Sequence, residues 1–213
     1  MTCAAASTDD QTPITRGHKK KARTRRQLID AAIEVIAERG EAFTASDVTN
    51  RAEMSAGTFY NYFDDRDQLI QAVVPDVIDH FAAESDIVVD EHDPARRFAV
   101  ITARALGRAI DEPDQFRALL RLDAAQRLIV DGAPMRFLRA DIATGVAEGR
   151  FSVDIDDAAV DVVVGAILFA ARRIVSEPVP DGYVGRVLTQ LLRSLGVAET
   201  EAAQIAATAV TAS

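Results

Sequence analysis

Apolar residues recur every three or four positions along most of this chain, and this spacing constrains the fold more than any other feature. Between residues 28 and 36 the apolar positions share one face of a helix, which Gly40 can end. The same spacing returns in residues 69–81, 98–106 and 184–195. We find no strand-like alternation of polar and apolar residues and no internal repeat. The sequence therefore predicts an all-α protein with about nine or ten helices.

The composition is typical of a globular protein. The chain has 213 residues, of which 48% are hydrophobic and 27% charged, enough for one core or for two small domains that share one. The longest apolar run, residues 162–171, is too short to cross a bilayer, and nothing near the N-terminus resembles the hydrophobic region of a signal peptide. Cys3 is the only cysteine, so no intrachain disulfide can form, and we expect a cytoplasmic protein without a membrane segment.

Charge is distributed unevenly along the chain, although the net value of −9 would by itself argue against a nucleic-acid partner. Residues 16–63 carry nine Lys and Arg against six Asp and Glu, whereas residues 64–213 carry fifteen against twenty-five. Seven of the nine cations fall within residues 16–26, RGHKKKARTRR, which contain no acid. A positive head on an acidic body indicates that the head faces a polyanion. The basic run is either an arm that becomes ordered on DNA or a solvated tail.

The segment TASDVTNRAEMSAGTFYNYFDDRDQL, residues 44–69, has the proportions of a helix-turn-helix. Thr44 followed by Asp47 resembles a capping box, and Ser55 can cap the next short helix. In such a motif the first helix spans the phosphate backbone, and the second enters the major groove by its N-terminal residues. The alternative is an ordinary helical hairpin with tyrosines on its surface.

Four of the twelve aromatic residues lie within five positions of this segment. Phe59 and Phe63 are expected to pack inward, whereas Tyr60 and Tyr62 are expected to point outward and to donate hydrogen bonds to phosphates. Gly57 is small enough to let the backbone approach the base edges. The candidate DNA-contacting residues are Lys19, Lys20, Lys21, Arg23, Arg25, Thr44, Ser55, Ala56, Gly57, Thr58, Tyr60, Asn61, Tyr62 and Arg66.

This segment resembles the N-terminal domain of the TetR (tetracycline repressor) family of transcriptional regulators, over roughly residues 24–70. Two residues depart from the family pattern. Glu53 stands where glycine is common in the turn, and Arg66 replaces a lysine while keeping a cation at the start of the next helix. The family pattern S-x-G-T-x-Y-x-Y/H-F, followed three residues later by lysine, is represented here by Ser55, Gly57, Thr58, Tyr60, Tyr62, Phe63 and Arg66.

The resemblance implies a sequence-specific DNA-binding regulator. We expect a disordered basic tail over residues 1–18, a helix-turn-helix domain over 19–64, and a helical ligand-binding and dimerisation domain over 65–213. A homodimeric repressor of this type is released from a palindromic operator by a small, largely apolar effector. The alternative is an architectural or adaptor DNA-binding protein that responds to no small molecule. Pro75 is expected to bend or interrupt the helix that joins the head to the body.

The C-terminal part offers candidates for an effector site and for a dimer interface. Residues 156–175 are apolar nearly all round, and with the stripe at 184–195 they offer more apolar surface than one small monomer readily covers, unless both simply form its core. The candidate ligand-binding residues are Phe81, Phe98, Phe116, Met135, Phe137 and Phe169. The candidate dimer-interface residues are Val162, Ala166, Phe169, Val184, Leu188, Leu191 and Leu195.

The sequence does not predict an enzyme. His18, His80 and His92 lie in the tail, on a helix flank and in a connector, and there is no P-loop, dinucleotide fingerprint or HExxH motif. Asp76, His80 and Glu84 recur at four-residue spacing and could hold a divalent metal, although a polar helix flank is the simpler interpretation. We therefore expect neither a resident metal nor a cofactor.

Overall fold

The computed structural model describes residues 16–82, 91–125, 127, 133–154 and 156–212. These residues form helices and no strand, which confirms the predicted all-α class. The principal helices are α1 (Arg16–Arg39), α2 (Ala45–Arg51), α3 (Ala56–Tyr60), α4 (Arg66–Ala82), α5 (Pro94–Asp111), α6 (Pro113–Arg121), α7 (Ala133–Ala147), α8 (Asp157–Ser176), α9 (Tyr183–Ser194) and α10 (Glu199–Ala212).

Side-chain caps fix where several of these helices begin. The predicted capping box is present at α2, where the Thr44 hydroxyl accepts a hydrogen bond from the Asp47 amide and the Asp47 carboxylate accepts one from the Thr44 amide. Asp93 caps α5 by accepting from the Ala95 amide at 2.8 Å. At the other end of α1, Gly40 has a φ of 64°, the left-handed conformation that ends many helices.

Three features of the helices could not be read from the sequence alone. Helix α1 begins at Arg16, so the basic run is its first turns, and the predicted limit of the tail at residue 18 lies within a helix. Helix α3 ends at Tyr60, before Phe63, the last residue of the S-x-G-T-x-Y-x-Y/H-F pattern, although the Phe63 amide still bonds to the Phe59 carbonyl at 3.0 Å. Pro75 lies inside α4 without interrupting it.

One apolar cluster holds the N-terminal helices together. Phe59 and Phe63 are buried, as predicted, and Leu28 of α1 is enclosed with them. Full burial of such a side chain stabilises the fold by about 1.5–3 kcal/mol. The cluster continues into α6 through Leu119 and into the end of α8 through Val175. The predicted boundary between residues 64 and 65 therefore does not separate two independent cores.

A second cluster forms the body and corrects part of the predicted dimer interface. It joins α5, α7, α8, α9 and α10 around residues such as Phe98 and Ile142. Leu188, Leu191 and Leu195 lie within this cluster and are buried in the single subunit, at 0%, 3% and 1% exposure. Leu188 and Leu195 are core residues because the apolar stripe of α9 faces its own α5 and α10. Leu191 belongs to the same cluster but also lines a groove on the outer side of α8. None of the described helices is long and apolar enough to cross a membrane.

Candidate nucleic-acid interface and ligand cavity

Helices α2 and α3 are joined by a turn with an unusual residue. Glu53 has a φ of 55°, so its backbone takes the left-handed conformation that favours glycine. For a residue with a side chain this conformation costs about 1–2 kcal/mol. Glu53 thus differs from the family pattern in residue type, but its backbone has the left-handed conformation that a glycine readily adopts.

The N-terminal half of α3 is open to solvent. Ser55, Ala56 and Gly57 are exposed, and the Ser55 and Thr58 hydroxyl oxygens lie 3.0 Å apart. Gly57 has no left-handed φ, and a Cβ built there would meet just one atom, the Ser55 Oγ at 4.0 Å. No packing or backbone reason within the described part of the chain requires a glycine at this position. Its missing side chain leaves space for an approaching partner.

The two tyrosines of the aromatic cluster have different surroundings. Tyr60 is 61% exposed, and its ring contacts Phe59 edge-on with the ring centroids 5.3 Å apart. Tyr62 is half-buried and packs against the apolar cluster below it, so the expectation that both rings point outward is wrong for Tyr62. Asn61, between them, is exposed.

The basic run forms an exposed, positively charged helix surface. Lys19, Lys20, Lys21 and Arg23 are exposed, and none of them takes part in an ion pair among the residues that the structure describes. Arg25 lies over the Phe63 ring, 5.3 Å from its centroid, at the edge of the helix-turn-helix. The structure therefore places these cations on the same helix that packs against the helix-turn-helix, where the sequence predicted an arm or a tail.

Arg66 and its neighbours hold the head in shape. The Arg66 guanidinium donates to the Glu41 carbonyl at 2.6 Å and lies 5.8 Å from the centroid of the Phe43 ring. The phosphate contact predicted for Arg66 would therefore compete with these two interactions within the head. Arg51 of α2 donates to Glu34 at 2.9 Å and to Glu38 at 2.6 Å, which fastens α2 to α1. Sequence spacing alone does not reveal these pairs, because their members come from separate helices.

Two ionisable groups of the head have shifted pKa values. Hydrogen bonds from the Thr44 side chain and backbone, with a smaller contribution from Arg39, hold the pKa of Asp47 below its ordinary value. Hydrogen bonds to Glu38 and Glu34 raise the pKa of Arg51. Both shifts favour the charged forms that join α2 to α1.

An apolar cavity of about 130 Å³ lies among α5, α6, α7 and α8. Of the predicted ligand-binding residues, Phe98, Phe116, Met135 and Phe137 line it, and Phe137 is 57% exposed. Phe169 does not line it: the cavity-facing residues of α8 are Val164, Ile167, Leu168 and Ala171, and the Phe169 side chain leaves the helix in another direction. The Phe81 side chain lies outside the described residues.

Two polar residues that the sequence analysis missed also line the cavity. Thr102 is buried on α5, and Asp141 of α7 is 24% exposed. Arg97 holds the Asp141 carboxylate with Nη2 and Nε at 2.7 and 3.0 Å from Oδ1. A carboxylate in a mostly apolar wall is a signal that only the packed structure reveals.

The proposed metal ligands do not assemble in the described part of the chain. Asp76 is paired with Arg26 of α1, and the side chains of His80 and Glu84 lie outside the described residues. Among the described residues no group of three or more His, Cys, Asp or Glu could hold a metal ion.

The outer face of α8 carries an uncovered apolar groove. Val162 and Phe169 are 60% and 68% exposed, and with Ala166 they line a groove of about 440 Å³ against α9. From α9, Tyr183, Val187 and the largely buried Leu191 complete its apolar side. Of the predicted dimer residues, the three on α8 are thus exposed to a partner, and Leu191 forms part of the floor beneath them. Val184 of α9 is half-buried and does not line this groove.

Two family models match the chain and together cover most of it. The model described as "Bacterial regulatory proteins, tetR family" matches residues 28–73. The model described as "Tetracyclin repressor-like, C-terminal domain" matches residues 93–208. The chain is also 38% identical, over 55 residues, to the uncharacterized HTH-type transcriptional regulator YvdT of Bacillus subtilis (strain 168). That match spans 25% of this chain and 28% of the relative's length.

Several solved structures are similar to this chain over most of its length. RolR in complex with resorcinol is 29% identical, with a TM-score of 0.63, and the match covers 88% of this chain and 95% of that one. RolR without ligand gives 28% identity and a TM-score of 0.62, over 85% and 95% of the two chains. CprB from S. coelicolor A3(2) is 17% identical to this chain, with a TM-score of 0.71, and the match covers 91% of this chain and 100% of CprB. This similarity shows that the two proteins share a fold.

Proposed function

Because this chain belongs to the tetR family of bacterial regulatory proteins, we propose that it is a homodimeric repressor, released from a palindromic operator by a small, largely apolar effector. Family membership makes it a DNA-binding transcriptional regulator and not an enzyme. The observation that carries the effector proposal is the apolar cavity, whose α6 wall also belongs to the core of the head. We place its action in the cytoplasm, where an operator is accessible.

The DNA-facing side rests on the exposed end of α3 and the basic surface of α1. Gly57 leaves room for base edges, while Tyr60 can donate to a phosphate. The exposed lysines of α1 are available to bind backbone phosphates, and each such contact strengthens DNA binding independently of sequence. We propose that the exposed candidates divide in this way, with the first turn of α3 reading sequence and Tyr60 and the cations of α1 binding the phosphate backbone.

The outer groove of α8 supports a homodimer. Large apolar side chains exposed side by side are typical of protein–protein interfaces, and Val162, Ala166 and Phe169 form such a group. A twofold axis there would place two copies of α3 on successive major grooves, which is why the operator would be palindromic.

The cavity limits the size of the effector. An engineered apolar cavity of 150 Å³ binds benzene, so a cavity of about 130 Å³ fits a single ring. RolR, which is similar to this chain over most of both lengths, was crystallised with the single-ring compound resorcinol. Both observations support a monocyclic effector.

Helix α6 connects the cavity to the head. Leu119 and Leu120 line the cavity and also belong to the cluster that includes α1 and α4. Beyond them, Arg121 donates to the Glu38 carbonyl, and the Asp123 amide donates to the Glu41 carboxylate at 3.1 Å. A ligand that shifts α6 would therefore move the end of α1. The coupling can be no larger than the ligand's difference in affinity between the two head arrangements, typically about 1–3 kcal/mol.

The test begins with selection of an operator from a pool of random duplexes, followed by fluorescence anisotropy. Monocyclic aromatics that raise the melting temperature are then titrated against the protein–operator complex. We expect a weakening of operator affinity of about 5- to 150-fold. Ala105→Leu, which adds volume inside the cavity, should abolish this response while retaining operator binding. Ala143→Leu, at an exposed position of α7, is the matched control. Compounds that stabilise the protein but leave operator affinity unchanged would contradict the proposal.

A further inference from the structure

We infer that Asp141 is the specificity-determining residue of the cavity and that it selects a single ring bearing a hydroxyl or N–H donor over a ring bearing a carboxylate. This inference rests on the proposed function only in taking the cavity as the effector site. It concerns the chemistry of the guest, which the family assignment leaves open.

One oxygen of Asp141 is available for a guest. Arg97 uses Oδ1 for both of its contacts, at 2.7 and 3.0 Å. Within the described part of the chain, Oδ2 accepts no hydrogen bond. An ionised carboxylate has acceptors and no donor, so its free oxygen can be satisfied only by a donor such as a hydroxyl, an amine or water. The rest of the cavity wall is mostly apolar and offers few other hydrogen-bonding groups. A hydrogen bond to Asp141 therefore contributes strongly to ligand affinity.

The pairing with Arg97 also disfavours an anionic guest. The guanidinium and the carboxylate together carry no net charge, so the pair does not need an anion for balance. Arg97 does not line the cavity, whereas Asp141 does, and the Arg97 Nη1 is also directed to the Glu91 carbonyl at 3.4 Å. A ligand carboxylate would therefore meet the like-charged oxygen of Asp141 first.

The remaining wall fits the ring itself. Phe98, Leu106, Phe116 and Met135 present apolar surface on several sides of a volume of about 130 Å³. A volume close to this one binds benzene, and a small substituent can extend toward the partly exposed side of the cavity. A donor substituent on that ring would reach Asp141 at the partly exposed side of the cavity, where the carboxylate is 24% exposed.

Three probes separate these chemistries by calorimetry on the full-length protein: phenol and toluene, which have the same number of heavy atoms, and the somewhat larger benzoate. We expect phenol to bind at least about tenfold more tightly than toluene, because hydrogen bonds to charged groups have that strength, and benzoate to bind most weakly. Benzoate binding more tightly than phenol would overturn the inference, since it would show a cavity that presents the arginine.

A double variant tests the residue without leaving a buried charge unpaired. Arg97→Met with Asp141→Leu replaces the ion pair by apolar groups, a change that is often neutral for stability. We expect it to lose the preference for phenol and to keep binding toluene. The matched control is Asp157→Asn, which breaks the pair of Asp157 with Arg139, an ion pair that does not line the cavity. Preference for phenol retained in the double variant would overturn the inference.

Operator release is measured separately, so the two proposals can fail independently. Phenol binding that depends on Asp141 but leaves operator affinity unchanged supports the inference and contradicts ligand-induced release. In a different outcome, none of the three probes binds, but another class of compound releases the operator and loses this effect in the Ala105→Leu variant. That result overturns the inference and leaves the proposed function standing.

Discussion

Replacing Gly57 by alanine should make the protein more stable and make it a weaker DNA-binding protein. Gly57 is the second residue of α3 and has no left-handed φ. The new methyl group would contact only the Ser55 Oγ, at 4.0 Å, so it adds no strain. Alanine is favoured over glycine in a helix by about 0.5–1 kcal/mol, which in a protein of this size raises the melting temperature by up to about 4 °C.

The same methyl group occupies the space through which α3 would approach the base edges. If the backbone is held away from the groove, at least one base contact is lost, which weakens operator binding by about 1–3 kcal/mol, or roughly 5- to 150-fold. Urea denaturation measures the first effect, and anisotropy with the selected operator measures the second. Gly107→Ala is the matched control, because Gly107 lies in α5, far from α3 in sequence, and a Cβ added there would meet no atom within 4 Å. It should stabilise the protein without changing DNA affinity.

Two results would refute this reasoning. Gly57→Ala binding the operator as tightly as the parent would show that α3 does not enter the groove by its first turn. A loss of stability would show that the conformation at Gly57 is not one that alanine adopts without strain.

Four further substitutions test the turn, the interface and the body. Glu53→Gly should raise the free energy of unfolding by about 0.5–1 kcal/mol, because it relieves a left-handed residue; an unchanged or lower value in urea denaturation would contradict the strain assigned there. Phe169 is exposed, so Phe169→Glu should yield folded monomers by light scattering, whereas Leu188 is buried, so Leu188→Glu should unfold the subunit. A Phe169→Glu variant that remains dimeric would show that the interface lies elsewhere. For Asp93, burial raises the pKa, but hydrogen bonds from Arg150 and the Ala95 amide outweigh it, and the net pKa is lowered. Its contribution to stability is thus present above its unfolded pKa and is lost as pH falls through the folded value, below about pH 4. Asp93→Asn should therefore be less stable at pH 7 and lose less stability on acidification; an equal acid slope would contradict this.

Local patterns predicted the head well because its determinants are close together in sequence. Thr44 and Asp47 form the capping box by themselves, and Phe59 and Phe63 face inward because four residues complete about one turn. Tyr62 was misjudged because its ring packs against the apolar cluster, a contact with other helices that the local spacing does not reveal. The shape of the turn at Glu53 also escaped sequence reasoning, since the surrounding fold imposes a conformation that the residue does not favour.

The body was harder to predict because its apolar residues have three possible destinations: core, cavity and interface. On α8, Leu168 lines the cavity, Phe169 is exposed and Ala170 is buried, although all three are apolar and consecutive. A step of one residue turns the side chain by about 100°, so the assignment depends on which neighbours stand on each side of the helix. Composition carries no information on that arrangement. The same reasoning explains why Asp141 could not be found in advance: an aspartate on a helix is ordinarily a surface residue, and this one becomes meaningful only when Arg97 from another helix meets it beside the cavity.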